Sequence, residues 1–492
     1  MGKTTSLTEL GLTAQAGGEV RITGLTVDSR EVKPGFLFAA LPGSNIHGAE
    51  FIQYALRMEA GAILTDAEGA QIARDVLDGA DAALVITEDP RQALAGAAAL
   101  WFGRQPAHMI GVTGTNGKTS VATFTRQIWI ELGYQAANLG TTGIEGAYTA
   151  PLAHTTPEPV LLHRHLLEMA EAGITHCAME ASSHGLDQRR LDGVQLMAAG
   201  FTNFSQDHLD YHGTFDAYFS AKAGLFARVL SQDGTAVINI DDPKGVEMAR
   251  IAEARGQRLI RVGRAARAEL RLTGQRCDAT GQELLFEYEG KPQSVRLNLI
   301  GGFQAENILL ACGLVIACGA DAERVFETLL HLGTVRGRMQ LAATRENGAT
   351  VFVDYAHTPD AVATALKALR PHVMGRLIAI VGAGGDRDPG KRPLMGQAAA
   401  KNADVVFVTD DNPRSEDPAT IRAAVLQGAP EATNVGDRAE AILRGVDALE
   451  PGDALLICGK GHETGQTVGD NVFPFDDVEQ ASVAVAALDG AL

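Results

Sequence analysis

Gly111-Val112-Thr113-Gly114-Thr115-Asn116-Gly117-Lys118-Thr119-Ser120 is the stretch on which the architecture of this chain turns. An apolar run, Met109 to Val112, reads as a buried strand. The spacing of Val121, Phe124, Ile128 and Leu132 predicts a helix after it, with Gly133 as its stop. Between strand and helix, glycines allow backbone N–H groups to turn inward around phosphate oxygens at the positive end of a helix dipole. Lys118 is then placed to reach the β- and γ-phosphates of ATP, and Thr119 to offer a hydroxyl to Mg²⁺. Val112 stands where the general phosphate-loop pattern has its first glycine. The competing reading is a glycine-rich turn without a ligand. Strand, Gly-Lys-Thr and amphipathic helix occurring together favour the nucleotide.

The rest of the chain sets bounds on that reading. Its 492 residues predict about three domains, each with its own core. A formal net charge of −18 and the lack of a Lys/Arg-rich run argue against nucleic acid or an anionic membrane as the main partner. Anionic substrates therefore need a local basic pocket. The five cysteines (Cys177, Cys277, Cys312, Cys318, Cys458) are odd in number, lack metal-ligand spacing and mostly sit in apolar runs, which suits a reduced compartment. Met1 to Leu10 has no signal-type apolar core, and the longest apolar run, Ile308 to Cys318, is too short for a bilayer. The expectation is a soluble, cytoplasmic protein without membrane insertion.

Strands alternate with helices throughout, which predicts an α/β fold with parallel sheets and ligands at the carboxyl ends of the strands. Residues 1–88 read as a small α/β domain, with strands at Leu37–Leu41, Ala62–Leu64 and Ala83–Ile86 and a turn-rich Pro42-Gly43-Ser44-Asn45. Residues 89–337 form the central phosphate-loop domain with a mostly parallel sheet, including strands at Cys177–Met179, Met197–Phe201 and Ala236–Ile240. Residues 338–492 read as a Rossmann-like domain, with strands at Val351–Val353, Leu377–Val381, Val405–Val408 and Leu455–Ile457.

Polar motifs follow these strands. Glu180 ends one of them and is placed to hold Mg²⁺ with Thr119; the alternative is a strand-terminal carboxylate facing water. The next carries Thr202 to His212, from which His208 is the expected second metal ligand. On the following helix Lys222 falls among Phe215, Tyr218, Phe219, Leu225 and Phe226. Such a lysine either snorkels or has a lowered pKa and takes up CO₂ as a carbamate, an anion suited to Mg²⁺.

Gly114-Thr115-Asn116-Gly117-Lys118-Thr119, Thr155-Thr156-Pro157, Glu180-Ala181-Ser182-Ser183-His184-Gly185-Leu186, Asp207-His208-Leu209-Asp210-Tyr211-His212 and Asp354-Tyr355-Ala356-His357 together resemble the Mur ligases, in family order and over essentially the whole chain. The resemblance implies a uridine-binding first domain, an ATP-binding second and an amino-acid-binding third. It implies carbamylated Lys222 with two Mg²⁺, held by Thr119, Glu180, His208 and Lys222, and a catalytic group of Lys118, Lys222, His208 and Glu180. ATP contacts would come from Gly114 to Ser120, Asn307, Arg338, Asp354 and His357. Val27, Ser29, Ser44, Asn45 and Ile46 match the uridine region, and Thr155, Thr156, Ser182, Gln188 and Arg190 the muramoyl dipeptide. Where the family often carries Glu, this chain has Gln340.

Asp411-Asn412-Pro413-Arg414 follows the strand Val405–Val408 and alone would read as a turn. Arg414 adds a guanidinium able to make two parallel hydrogen bonds to a carboxylate. Diaminopimelate exceeds lysine by one carboxylate, so a site built on Arg414 rejects lysine by about 10⁴-fold or more. The resemblance implies a diaminopimelate site of Asp411, Asn412, Pro413 and Arg414, with Arg387 for the other carboxylate and Gly459 and Glu463 for the ammonium. The implied reaction adds meso-2,6-diaminopimelate to the γ-carboxylate of UDP-N-acetylmuramoyl-L-alanyl-D-glutamate through an acyl phosphate, for peptidoglycan. The expected state is a monomer acting on small molecules.

Overall fold

The computed structural model describes residues 3–15, 20–43 and 46–490. Strands Gly24–Thr26, Phe36–Ala39, Ala62–Thr65 and Ala83–Ile86 pair in sequence order as a parallel four-stranded sheet. Successive side chains go to opposite faces, so Leu37 and Leu64 join one core while Phe38 and Ile63 join the other. The helix Pro90–Phe102, capped by the Asp89 carboxylate accepting from the Gln92 N–H at 3.0 Å, lays Leu94, Ala98 and Trp101 on the first of these cores.

The central sheet has ten strands. From one edge these are Lys291–Leu297, Gly281–Tyr288, Leu270–Asp278, Arg258–Gly263, Thr235–Asn239, Ala198–Phe201, His108–Thr113, His176–Glu180, Ala136–Gly140 and Gly143–Gly146. The run from Leu270–Asp278 to Ala136–Gly140 is parallel, and the hairpin strands at the two edges are antiparallel. After His108–Thr113 the helix Lys118–Glu131 carries the chain to one side, and Ala198–Phe201 later joins on the other. The order therefore reverses at the strand that ends in the phosphate loop, where open α/β sheets hold their ligands. Ile110 and Val112 meet the helices Lys118–Glu131 and Gln304–Ala317, and Met109 and Cys177 meet Leu162 and Leu166 of the helix Pro159–Glu171.

The third sheet runs Gln340–Thr344, Thr350–Asp354, Ala454–Cys458, Leu377–Val381, Val405–Val408, Thr433–Asn434, parallel except for its first strand. Helices Pro359–Leu369, Lys391–Asn402 and Pro418–Leu426 cover one face, and Arg438–Asp447 with Asp477–Leu488 the other. Beside it stands the hairpin Gly465–Val468/Asn471–Pro474. The architecture is α/β with parallel-rich sheets.

Contacts tie the three units together. Arg91 donates to Pro42 O between the first and second, and His372 Nε2 accepts the Gly301 N–H at 3.2 Å between the second and third. The five cysteines are unpaired, and Cys177, Cys312 and Cys458 are buried. Among the described residues no helix is long and apolar enough to cross a membrane. The apolar face expected around Lys222 is incomplete: Phe215 is exposed, and the α-helix Phe215–Gly224 gives way to a π-helical turn, Leu225–Val229, that buries Leu225 and Phe226.

Candidate active site

The loop between His108–Thr113 and Lys118–Glu131 is shaped by two glycines. Gly114 has φ +146°, and a Cβ there would lie 1.9 Å from Thr202 Oγ1. Gly117 has φ +86° and faces Asn307 Oδ1, which a Cβ would meet at 2.6 Å. The segment after Ala198–Phe201 braces the loop from outside: Asn203 accepts the Thr115 N–H through its carbonyl and the Asn116 N–H through its side chain, both at 2.9 Å. The inner side opens on a cavity of about 520 Å³ lined by Lys118, Thr119, Glu180, Asn307, Arg338 and His357 among others. Second- and third-domain residues thus share one chamber.

Among the described residues its lysines and Arg338 have no carboxylate partner at hydrogen-bond distance. Lys118 Nζ donates to the carbonyls of Gly114 (3.0 Å) and Thr115 (2.9 Å), both in its own loop. Burial lowers its pKa, with Glu180 and Asp207 opposing. Lys222, 1% exposed, donates to Gly114 O at 2.7 Å and lies over the Tyr218 ring, 4.4 Å from its centroid. Burial pushes its pKa well down and Lys118 adds to the fall. A lysine held toward its neutral amine is nucleophilic, the chemistry carbamylation needs.

Glu180, last residue of His176–Glu180, is buried; it accepts the Thr141 N–H at 2.8 Å and the Thr141 hydroxyl at 3.2 Å. Thr119 Oγ1 accepts from Arg338 at 3.2 Å. His208 sits at φ +51° with Nε2 3.4 Å from Asp207; burial draws its pKa down to about 4 against the pull of Asp207. Among the described residues no three His, Cys, Asp or Glu side chains gather at one point. The oxygen donors present, a Thr hydroxyl and a buried carboxylate, fit Mg²⁺ completed by phosphate and water oxygens.

From the third domain, Asp354 ends its strand and accepts the Met339 N–H at 2.7 Å; burial raises its pKa and Arg338 opposes. His357 Nδ1 bonds Tyr355 O at 2.8 Å, and the Arg338 guanidinium stacks 4.5 Å over the Tyr355 ring. Asn307 bonds Gln304 at 3.2 Å, and Ser120 is buried in the helix start. Gln340 accepts the Gly337 N–H at 2.8 Å, a bond within the turn that aims Arg338.

The residues matched to the muramoyl dipeptide gather at the same strand end. Thr156 donates to Glu180 O at 2.9 Å and accepts the Ser182 N–H at 3.1 Å. Ser182 caps the helix Ser183–Asp187, Arg190 donates to Thr156 O at 2.6 Å and to Gln188 at 2.7 Å, and Thr155 bonds Thr141 at 3.0 Å. The first-domain residues do not line the cavity: Val27 packs against its own core, Ser29 opens a short 3₁₀ helix and Ile46 is exposed. Ser44 and Asn45 lie outside the described residues.

Three loops at carboxyl ends of third-domain strands form a second cluster. Asp411, Asn412 and Pro413 are buried; Arg414, at φ +52°, donates through Nη1 to Gly385 O at 2.8 Å and pairs by backbone with Thr467. Asn412 donates to Glu463 at 2.9 Å. Arg387 stands at the exposed rim, bonded to Asp386 O at 3.2 Å. Gly459 continues from Ala454–Cys458 at φ +117°, with space for a Cβ denied by Asp411. Three participants carried no role in the sequence reading. Asp207 balances Lys118 and Lys222, Thr141 holds Glu180, and Tyr355 lies between both clusters, its phenol pKa raised to about 12 by burial with Glu463 reinforcing. Asp207 and Tyr355 lay inside quoted motifs; Thr141 gave no signal.

Family models match in tandem: "Mur ligase family, catalytic domain" over residues 21–101, "Mur ligase middle domain" over 112–315 and "Mur ligase, glutamate ligase domain" over 337–461. The UDP-N-acetylmuramoyl-L-alanyl-D-glutamate–2,6-diaminopimelate ligase of Bradyrhizobium diazoefficiens is 50% identical over 472 residues, 95% of this chain and 96% of that protein. The enzyme of the same name from Caulobacter vibrioides is 48% identical over 475 residues, 95% of this chain and 96% of that one. Among solved structures, one of a ligase of that name superposes with TM-score 0.72 at 33% identity, covering 99% of each chain. MurF of Acinetobacter baumannii, at 18% identity and TM-score 0.63 over 93% of this chain and 96% of its own, shares the fold.

Proposed function

We infer the function from the premise that this chain belongs to the Mur ligase family. It is an ATP-dependent amide-forming ligase that adds meso-2,6-diaminopimelate to the γ-carboxylate of the D-glutamyl residue in UDP-N-acetylmuramoyl-L-alanyl-D-glutamate, a step of peptidoglycan precursor synthesis. The observation that carries this reading is the pairing of a phosphate-loop cavity with a third-domain cluster holding Arg414 and Glu463, the two joined through Tyr355.

The γ-carboxylate is a poor electrophile, and transfer of the ATP γ-phosphoryl group converts it to an acyl phosphate with a good leaving group. The diaminopimelate amine attacks the carbonyl carbon, a tetrahedral intermediate collapses, and phosphate leaves. In this proposal Lys118 and Arg338 bind the phosphoryl oxygens and stabilise the charge that develops there. Thr119 and Glu180 would hold one Mg²⁺, and His208 with carbamylated Lys222 a second; bound there, Mg²⁺ neutralises phosphate charge. Gly114 to Ser120, Asn307, Asp354 and His357 position ATP. Thr155, Thr156, Ser182, Gln188 and Arg190 position the acceptor carboxylate, with the uridine on the first domain at Val27, Ser29 and Ile46. Arg414 and Arg387 bind the two carboxylates of diaminopimelate, and Glu463 and Gly459 its ammonium, so one amine is left to react.

The proposed division of labour follows residues 1–88, 89–337 and 338–492, with helix Pro90–Phe102 packed on the first unit. A cytoplasmic monomer without nucleic-acid or membrane partners completes the proposal. The test is phosphate release from ATP and Mg²⁺ with the UDP-muramoyl dipeptide and meso-diaminopimelate, L-lysine or no amine. Turnover that needs diaminopimelate, with product one diaminopimelyl residue heavier, is expected. Phosphate release indifferent to the amine would replace the ligase by a nucleotide-hydrolysing regulator.

A further inference from the structure

Lys460 is the most thoroughly buried cation of the amino-acid cluster, with none of its surface exposed. An ammonium carries three donors and no acceptor, and burying it unpaired is costly. Here each donor has a partner: Gly465 O, Glu463 Oε2 at 3.3 Å and Asn412 Oδ1 at 3.4 Å. A turn in which Lys460 O accepts the Glu463 N–H at 3.0 Å puts the two side chains on one side of the loop.

These bonds have a consequence for the two neighbours. Asn412 Oδ1 also accepts the Thr467 N–H at 2.9 Å, so both groups facing that end of the amide are donors and only its oxygen fits there. The NH₂ must then point the other way, where it donates to Glu463 Oε2 at 2.9 Å. Lys460 and Asn412 thus engage the same oxygen of Glu463. Glu463 keeps a third of its side chain exposed, and its other oxygen is the one left for a ligand.

We propose that Lys460 is a positioning residue for the amino-acid substrate: its ammonium fixes the orientation of the Asn412 amide and ties down one oxygen of Glu463, so that the free oxygen meets the substrate ammonium in one geometry. The proposal rests on reading Asn412, Arg414 and Glu463 as the amino-acid site. Lys460 is not among the residues lining the phosphate-loop cavity, so its effect should be confined to one of three substrates.

Steady-state kinetics of Lys460→Met, which keeps the chain length and removes the charge, read this directly. The expected result is a KM for meso-diaminopimelate raised about 10- to 100-fold, the loss of a charged hydrogen-bond set, with the KM values for ATP and the UDP-muramoyl dipeptide unmoved. Lys460→Arg retains a cation but its planar fork cannot serve three converging acceptors, so its diaminopimelate KM falls between those of wild type and Lys460→Met. If Lys460→Met does not fold, Lys460→Arg decides alone: a selective rise in that KM supports the proposal. An unchanged diaminopimelate KM, or all three KM values rising together, in whichever variant folds, overturns it. Arg414→Ala in the same assay separates the premise: if that change leaves the diaminopimelate KM alone, the reading of the cluster as the amino-acid site fails, whatever Lys460 does.

Discussion

In the phosphate-loop cavity, Lys118 and Lys222 spend their hydrogen bonds on carbonyls of the loop itself, and Arg338 rests on a tyrosine face and a threonine hydroxyl. In the amino-acid cluster, by contrast, Lys460 has a full set of acceptors, and beneath it the fully buried Arg438 and Asp477 are paired at 2.7 Å. Arg438 also donates to Cys458 O at 2.9 Å and Asp410 O at 3.3 Å, gripping the ends of the two strands that lead into Gly459 and Asp411. One site leaves its lysines without a carboxylate at hydrogen-bond distance among the described residues, with Asp207 acting on them from farther off, an arrangement suited to a polyanion that brings several negative charges. The other neutralises its interior in advance and leaves the guanidiniums of Arg414 and Arg387 and one oxygen of Glu463 for the proposed zwitterion. Binding a highly charged nucleotide supplies its own counter-charge, whereas choosing between two similar amino acids needs fixed geometry.

The largest effect expected from this contrast is at Lys118. Lys118→Ala should lower kcat by about 10³-fold while leaving the unfolding midpoint near that of wild type, because its ammonium bonds two carbonyls of its own loop and forms no ion pair with another element among the described residues. A large loss of stability with modest loss of turnover would break the contrast. Arg438→Ala should do the opposite. Stranding Asp477 in the core costs about 3–5 kcal/mol in urea unfolding, and replacing both partners by apolar residues of similar size should cost much less.

A smaller effect concerns pH. His163, buried on the helix Pro159–Glu171 with no partner for Nε2 among the described residues, is held near a pKa of about 4 by burial. An unfolded chain takes up this proton near the ordinary value of 6.5, before the folded protein does. The stabilisation is therefore complete above that value and lost as pH falls toward 4, amounting to about 3 kcal/mol. His163→Gln should flatten that limb of the stability–pH curve; an unchanged limb would contradict the assignment. Smallest are two helix caps, one in the second domain and one in the third: Thr214 Oγ1 accepts the Ala217 N–H at 3.1 Å ahead of Lys222, and Thr358 Oγ1 accepts the Ala361 N–H at 3.2 Å. Each Thr→Ala change should cost about 1 kcal/mol in thermal unfolding. Thr214→Ala should also lower turnover, since its helix carries Lys222.

The same contrast explains what was readable in the chain. The phosphate loop announces itself locally, because glycines, a lysine and a helix pattern within a dozen or so residues are enough to require a strand–turn–helix. Lys222 was legible as an anomaly on its helix, although not the π-helical turn beyond it, since a period of 3.6 residues cannot reveal where the ladder slips. Asn412 read alone as a turn residue, and as part of the amino-acid site only through the resemblance. Its bonds to Glu463, Lys460 and Thr467 span 48 to 55 positions and exist only once three parallel strands align their ends. Arg438 with Asp477, and Thr141 with Glu180, were silent for the same reason: an ion pair 39 residues apart and a backbone donor 39 residues away leave no periodic trace. The parallel α/β character was plain from strand–helix alternation, whereas the order of ten strands in the central sheet was not.

The central claim is that Arg414 makes this ligase choose diaminopimelate over lysine. Its most direct test is kcat/KM for both amino acids with wild-type protein and Arg414→Ala. The account predicts a wild-type preference for meso-diaminopimelate of about 10⁴-fold that largely disappears in Arg414→Ala, through loss of diaminopimelate binding. Equal use of lysine by the wild type, or a preference that survives Arg414→Ala, would contradict it.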